Sequence, residues 1–288
     1  QRQNQKALRA DSYKNIKEVL DERVPMTDKI LPGDNSLKFG RKVILPSSFV
    51  GSPRWFNAQF QDGMAICREY HKPDFFITMT CNPKWTEITE ELRDGESVGD
   101  RPDLVARVFK QKKDQLMKNI RTGNIFGKVP AFLWVIEFQK RGLPHVHILV
   151  ILSDDDRVSC TSDVDNVIWA QLPPSPDTFP EGSSERDQAE RLEAVVLANM
   201  VHGPCGPTNP KSPCMEAGKC TKFYPTSFQK HTVIDAASSF PTYRRRAPED
   251  GGRVMIIKRG GVEFEVNNTM VVPYNPSLSL EFNCHINV

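Results

Sequence analysis

Gly142-Leu143-Pro144-His145-Val146-His147-Ile148-Leu149-Val150 decides how this chain is read. Two histidines flank one apolar residue at the head of a strand-like run. Side chains alternate faces along a strand, so His145 and His147 point the same way. Two imidazoles on one face make a ready pair of metal ligands. Just upstream, Phe132-Leu133-Trp134-Val135-Ile136-Glu137-Phe138 reads as a second strand. Gln139 to Pro144 then reads as the turn, with Gly142 and Pro144 as turn residues. If the hairpin pairs Glu137 opposite His145, one acid and two histidines converge on one patch. A solvated strand face is the alternative. The apolar flanks Val146, Ile148, Leu149, Val150 and Ile151 argue for a central strand instead, and buried polar groups there need partners.

Composition sets the frame. The 288 residues suit one large domain or two small ones, and 39% hydrophobic with 26% charged residues is ordinary for a globular protein. A net charge of +2 is nearly balanced, so nucleic-acid binding must be argued from local clusters. No run approaches the roughly 18 apolar residues of a membrane span. Residues 1–20 are polar and show no secretory signal. Seven cysteines, an odd count, favour reduced thiols and metal ligation over a disulfide framework. The chain lacks an initial Met and stops on Asn287-Val288 in mid-pattern, which reads as a piece of something longer.

Along the chain, residues 1–36 read as a lead-in helix or linker, and 37–288 as the main domain. Ser52-Pro53-Arg54-Trp55 opens a helix candidate with Ser52 as N-cap, ended by Pro73. Asp74 to Thr80 is a strand broken by Asn82-Pro83. Leu104 to Ile120 is an amphipathic helix with Leu104, Val108, Phe109, Leu116 and Ile120 as its apolar set. An insert at about 153–225 carries an acidic start, Pro-rich loops, a helix at Gln188–Val201 and a Cys/His-rich end. Strands are expected at Val254–Lys258, Gly261–Val266 and Met270–Val272. The order of elements gives an α+β fold around a central antiparallel sheet with flanking helices.

A second cluster carries chemistry. His202, Cys205, Cys214 and Cys220 are spaced His-x2-Cys, x8, Cys-x5-Cys within 19 residues. Four such ligands among glycines and prolines suit a tetrahedral, structural Zn²⁺ site, which organises a segment with too few apolar residues for a core. A loop with scattered thiols is the alternative. Cys67, Cys81, Cys160 and Cys284 read as core or incidental thiols, and His285 as a strand-end core histidine with ligation as its alternative. For nucleic acid, Lys140-Arg141 lies in the hairpin turn. Tyr243-Arg244-Arg245-Arg246 joins a stacking face to three guanidiniums that grip phosphates. Trp85 is either a base-stacking or a core residue.

Several motifs together resemble one family. Phe138-Gln-Lys-Arg-Gly-Leu-Pro-His-Val-His147 resembles the histidine–hydrophobe–histidine motif of HUH endonucleases, and more closely the Rep-like N-terminal domain of Helitron transposases, also called the Helitron helicase-like domain. Phe76-Ile-Thr-Met-Thr-Cys-Asn-Pro-Lys-Trp85 resembles that family's first motif. Cys220-Thr-Lys-Phe-Tyr-Pro225, Tyr243–Arg246 and Val272-Pro-Tyr-Asn-Pro276 through Asn283-Cys-His-Ile-Asn-Val288 resemble its later landmarks. The resemblance runs from about residue 40 to the end.

The resemblance implies a five-stranded Rep (HUH) sheet. It implies that two histidines and a third polar ligand hold Mg²⁺ or Mn²⁺ while a tyrosine attacks a DNA phosphodiester, leaving a 5′-phosphotyrosine and a free 3′-hydroxyl. His145 and His147 are then ligands, with Glu137 as the third and Gln139 behind it. Thr78, Thr80 and Asn82 support the site. Single-stranded DNA is the implied partner, with a helicase domain C-terminal in the same polypeptide and a nuclear location. No tyrosine here sits on a helix near the site, so the nucleophile is expected after Val288 and the fragment alone is expected to be inactive or weak. No Gly-x4-Gly-Lys-Ser/Thr loop is present, so this piece is not the ATPase. Two rivals stand: a catalytically silent DNA-binding relic, and a metal-dependent hydrolase that uses water.

Overall fold

A computed structural model describes residues 47–122, 125–138, 142–158, 160–235 and 241–288. The predicted lead-in helix, Gln139, Lys140 and Arg141 lie outside these described residues. The chain divides into two compact units, Gln1–Trp55 and Phe56–Val288. In the first, the amide of Trp55 donates to Ser52 Oγ at 3.1 Å, the N-cap that the sequence predicts. Helix α1, Pro53–Tyr70, buries no residue fully.

The second unit is built on one antiparallel sheet. Its strands are β1 (Phe75–Thr80), β2 (Ala131–Phe138), β3 (Pro144–Ile151) and, near the C-terminus, β10 (Ile286–Asn287). Their order across the sheet is β10-β1-β3-β2. The fold is therefore mixed α/β around an antiparallel sheet, as expected, but the sheet has four strands among the described residues rather than five.

One face of this sheet is core. Ile77, Met79, Val146, Ile148 and Val150 are buried, and the alternation expected of β1 and β3 is present along both strands. After a short helix α2 (Thr86–Thr89) comes α3 (Pro102–Arg121), with Pro102 in its first turn where no amide partner is lost. The predicted apolar set of α3 is wholly buried and joins the same cluster as the sheet. Each such aliphatic side chain contributes about 1.5–3 kcal/mol by leaving water. Truncating central Ile148 to Ala would cost about 2–5 kcal/mol. Lys113 on α3 is also buried, with its Nζ 4.2 Å from the centroid of the Trp134 ring. Its ammonium group thus lies at the aromatic face rather than in open solvent.

A second core lies further along the chain. Helix α4 (Thr161–Val167) is followed by α5 (Ser184–Asn199), capped by Ser183, whose Oγ accepts from the Arg186 amide. Two short strand pairs follow, β4 (Met215–Glu216) with β5 (Lys219–Cys220) and β6 (Val233–Ile234) with β7 (Pro241–Thr242). The hairpin of β8 (Val254–Arg259) and β9 (Val262–Asn267) matches its prediction. Met270–Val272 does not form a strand; it follows a 3₁₀ turn, and Val271 makes a single bridge to Val201. Leu172, Leu192, Val196 and Met200 pack with Phe264, Val266, Val271 and Tyr274, so the expected insert shares one core with the tail that follows it.

Helix α6 (Pro276–Phe282) returns the chain to the sheet. The Trp85 indole N–H donates to the Phe282 carbonyl at 2.7 Å, and Asn82 Nδ2 donates to the Asn283 carbonyl at 2.7 Å. Asn283 adopts a left-handed φ of 41°, a conformation that Asn tolerates and that ends the helix. These two bonds staple the Asn82–Trp85 turn to the end of α6 and set β10 beside β1.

Candidate functional site

The open face of the sheet carries two cross-strand rows. The register pairs Thr80 with His145 and His145 with Glu137, and Thr78 with His147 and His147 with Val135. Directly opposed residues share a face. On the other side, Thr78 pairs with Asn287, and the Thr80 amide donates to the His285 carbonyl at 2.9 Å. One row therefore reads His285, Thr80, His145, Glu137; the next reads Asn287, Thr78, His147, Val135.

Threonines fix both imidazoles. Thr80 Oγ1 lies 2.8 Å from His145 Nδ1, and Thr78 Oγ1 lies 2.9 Å from His147 Nδ1. In the tautomer that donates Nδ1–H to threonine, each Nε2 keeps its lone pair free. His145 Nε2 is buried and bonds nothing. Glu137 Oε2 lies 3.6 Å from His147 Nε2, and the carboxylate remains largely exposed on the edge strand. The Phe76 ring stacks on His147 with centroids 5.5 Å apart. Thr78, Thr80, Glu137, Phe138, His145, His147 and His285 line a single cleft of about 430 Å³.

Burial pushes the proton affinity of His145 down, and the neighbouring His147 adds to this, against the opposing pull of Glu137. His145 is thus held neutral, the form that ligates. His285 also lines the cleft, with its Nδ1 buried and unpartnered. Burial lowers its proton affinity as well, and the imidazoles of His145 and His202 push the same way. His285 is thus a strand-end histidine that also forms part of the cleft wall. Local pattern could not reveal this, because a pairing between β10 and β1 brings it there.

The second cluster forms as its spacing predicts. The ligand atoms of His202, Cys205, Cys214 and Cys220 all lie within 4.8 Å of one another, the only such His/Cys/acid group among the described residues. Cys220 Sγ is 3.3 Å from His202 Nε2. Sulfurs about 3.8 Å apart are what a tetrahedral ion with bonds of about 2.3 Å needs, so this donor set fits a metal such as zinc. Burial, then hydrogen bonding to Cys214, pushes the Cys205 thiol up to about 12 when no cation is present. His202 is kept neutral by burial and by the nearby Arg259 and Lys222. Its ring stacks on Tyr224, with centroids 4.4 Å apart. Arg259 Nη1 donates to the carbonyls of Val201 and Gly203, tying the cluster to the second core.

Three expected DNA contacts are corrected. Arg245 is buried, and its Nη1 donates to the carbonyls of Ala170, Asn268 and Val271, so it is a structural pin. Tyr243 packs against the first core. Trp85 is a core residue at 3% exposure. Residue 243 and residue 245 share a strand-like parity, and that parity turns both inward. Arg244 is held by Asp165 at 3.0 Å, and exposed Arg246 donates from Nε to Gln171 Oε1 at 2.9 Å. Asn82 is not among the residues that line the cleft and bonds the end of α6.

An antiparallel sheet bearing a paired-histidine cleft, together with a separate His/Cys group that could hold a metal such as zinc, defines the class: a mixed α/β domain. A family model described as the Helitron helicase-like domain at the N-terminus matches residues 1–150. The chain belongs to this family. The matched span ends on Val150 and includes His145 and His147, while the Cys/His cluster and the landmarks after it lie outside. Among curated proteins, none matches the chain. No helix of the described residues is long and apolar enough to cross a membrane.

Proposed function

We propose that this domain nicks single-stranded DNA for a Helitron-type transposase, with a Rep-like (HUH) sheet as its platform and a helicase domain in the same polypeptide. The observation that carries the reading is the cleft in which His145 Nε2 is buried and unpartnered while threonines hold both Nδ1 atoms. An imidazole nitrogen left so is unfavourable unless a ligand meets it. The residues fit a divalent cation: His145 and His147 would hold Mg²⁺ or Mn²⁺ through Nε2, with Glu137 as the third ligand. Such a cation, when bound, offsets the charge on the oxygens of a phosphodiester.

The chain's own residues do the rest. Thr78 and Thr80 orient the imidazoles, and Glu137 sits at the open edge where a strand of DNA enters. No tyrosine among the described residues lines the cleft. Tyr224 stacks on His202, Tyr243 and Tyr274 are held in the cores, and Tyr70 ends α1. The attacking phenol is therefore assigned to a helix that follows Val288 in the parent protein. Its oxygen bonds to phosphorus, the bond to the 3′-oxygen breaks, and that oxygen leaves as a hydroxyl with the phenolic proton. The Cys/His cluster is assigned to structural Zn²⁺.

The test is cleavage of labelled single-stranded DNA with Mn²⁺, by this chain and by a version extended through the next helix. A covalent protein–DNA adduct formed only by the extended version, and lost in His147→Ala, is the expected result. Metal-dependent cleavage by the short chain without an adduct would assign the nucleophile to water and overturn the tyrosine route. DNA binding with no cleavage by either would leave a silent binding relic.

A further inference from the structure

The tip of the Cys/His segment carries an exposed aromatic in a backbone conformation it does not favour. Phe223 is 85% exposed at φ +59°. A bulky residue in the left-handed region is a genuine outlier, and such outliers persist where the surroundings over-determine them. The turn that carries it is fixed to the cluster. The Phe223 amide donates to the Cys220 carbonyl at 3.0 Å, and the Tyr224 ring lies against His202. The Thr221 amide donates to the Cys214 carbonyl at 2.8 Å. The ring is thus held out in water by a braced turn.

The chemistry around it is basic. Residues 202–225 contain Lys211, Lys219 and Lys222 against one carboxylate, Glu216. All three lysines are exposed, and none has an ion-pair partner among the described residues.

We propose that Phe223 is a base-stacking tip for single-stranded DNA, with Lys219 and Lys222 on the adjoining phosphates. This rests on the reading of the cleft as a single-strand site. An aromatic face flanked by ammonium groups suits any base, so the tip would grip without reading sequence. Exposed bases, which a duplex does not offer, are the ligand this geometry fits.

The experiment is fluorescence anisotropy of a labelled oligothymidylate with the zinc-loaded chain. Phe223→Ala should weaken binding about five- to hundredfold, while Phe223→Trp keeps it. Phe223→Gly should lose binding too, yet melt at a higher temperature, because glycine adopts positive φ without strain. Lys222→Gln should lower the salt slope of binding by about 0.7. Phe223→Ala binding within twofold of the parent chain would overturn the stacking tip alone. A parent chain that holds no single strand would overturn the functional reading and the tip together.

Discussion

His145 and His147 present parallel rings, with centroids 6.3 Å apart and 2° between their planes. The strand places both on one face, and Thr80 and Thr78 of the neighbouring strand lock them by their Nδ1 atoms. The pair is held in place by hydroxyls that line the same cleft.

That arrangement makes the threonines measurable. Thr80→Val keeps the shape and removes the hydroxyl, so the sheet should stay intact while Mn²⁺ affinity falls about tenfold, the lower end for lost outer partners of metal ligands. Titration calorimetry on Thr78→Val, Thr80→Val and the double variant checks this. Unchanged affinity in all three would separate the threonines from the cation.

Removal of the second metal should act on stability rather than on the cleft's donors. Cys214→Ser takes one of four ligand atoms that lie within 4.8 Å of each other. The variant should bind no zinc by elemental analysis of the purified protein, against one ion in the parent, and should melt several degrees lower. The β4–β5 and Phe223 turns, which have little core beneath them, should gain hydrogen exchange first.

Arg245 and Arg246 are adjacent in sequence and opposite in role. Arg245→Met leaves three carbonyls without their buried donor, and should destabilise by about 3 kcal/mol or more. Arg246→Gln, on an exposed side chain, should stay within about 0.5 kcal/mol. Urea unfolding of the two variants distinguishes a structural pin from a surface cation.

The buried histidines set a pH dependence. Burial lowers the proton affinity of His145, His202 and His285 in the folded chain, so the unfolded chain binds protons more readily. Stability is therefore fully present above the unfolded value of about 6.5 and is lost as pH falls from there toward the lower folded values. Metal-free protein should show a falling urea midpoint between pH 7.5 and 5.5, with a shallower fall in His285→Gln. A midpoint that rises on acidification would contradict the buried, neutral assignment.

Much of this site is legible in the sequence because it is local. The parity of His145 and His147, the hairpin that sets Glu137 opposite His145, and the Cys/His spacing all operate within short stretches. Pro102 and Ser52 mark helix starts by the chemistry of unpaired amides. What escapes is long-range or inverted. His285 reaches the cleft through an edge pairing of only two residues, Ile286 and Asn287, with β1. Arg245 lies in a run that reads as a basic surface, yet the carbonyls of Ala170, Asn268 and Val271, from two distant segments, converge on it. Trp85 is drawn into the core by the far end of α6.

On the proposed function, the cleft between β2, β3 and β1 holds a divalent cation through His145 and His147. Electron paramagnetic resonance of Mn²⁺, titrated into the zinc-loaded chain and its His145→Ala and His147→Ala variants, tests this most directly. One bound Mn²⁺ is expected in the parent chain, with loss of that ion in each variant and the Zn²⁺ content unchanged. Equal Mn²⁺ binding by all three proteins would contradict it.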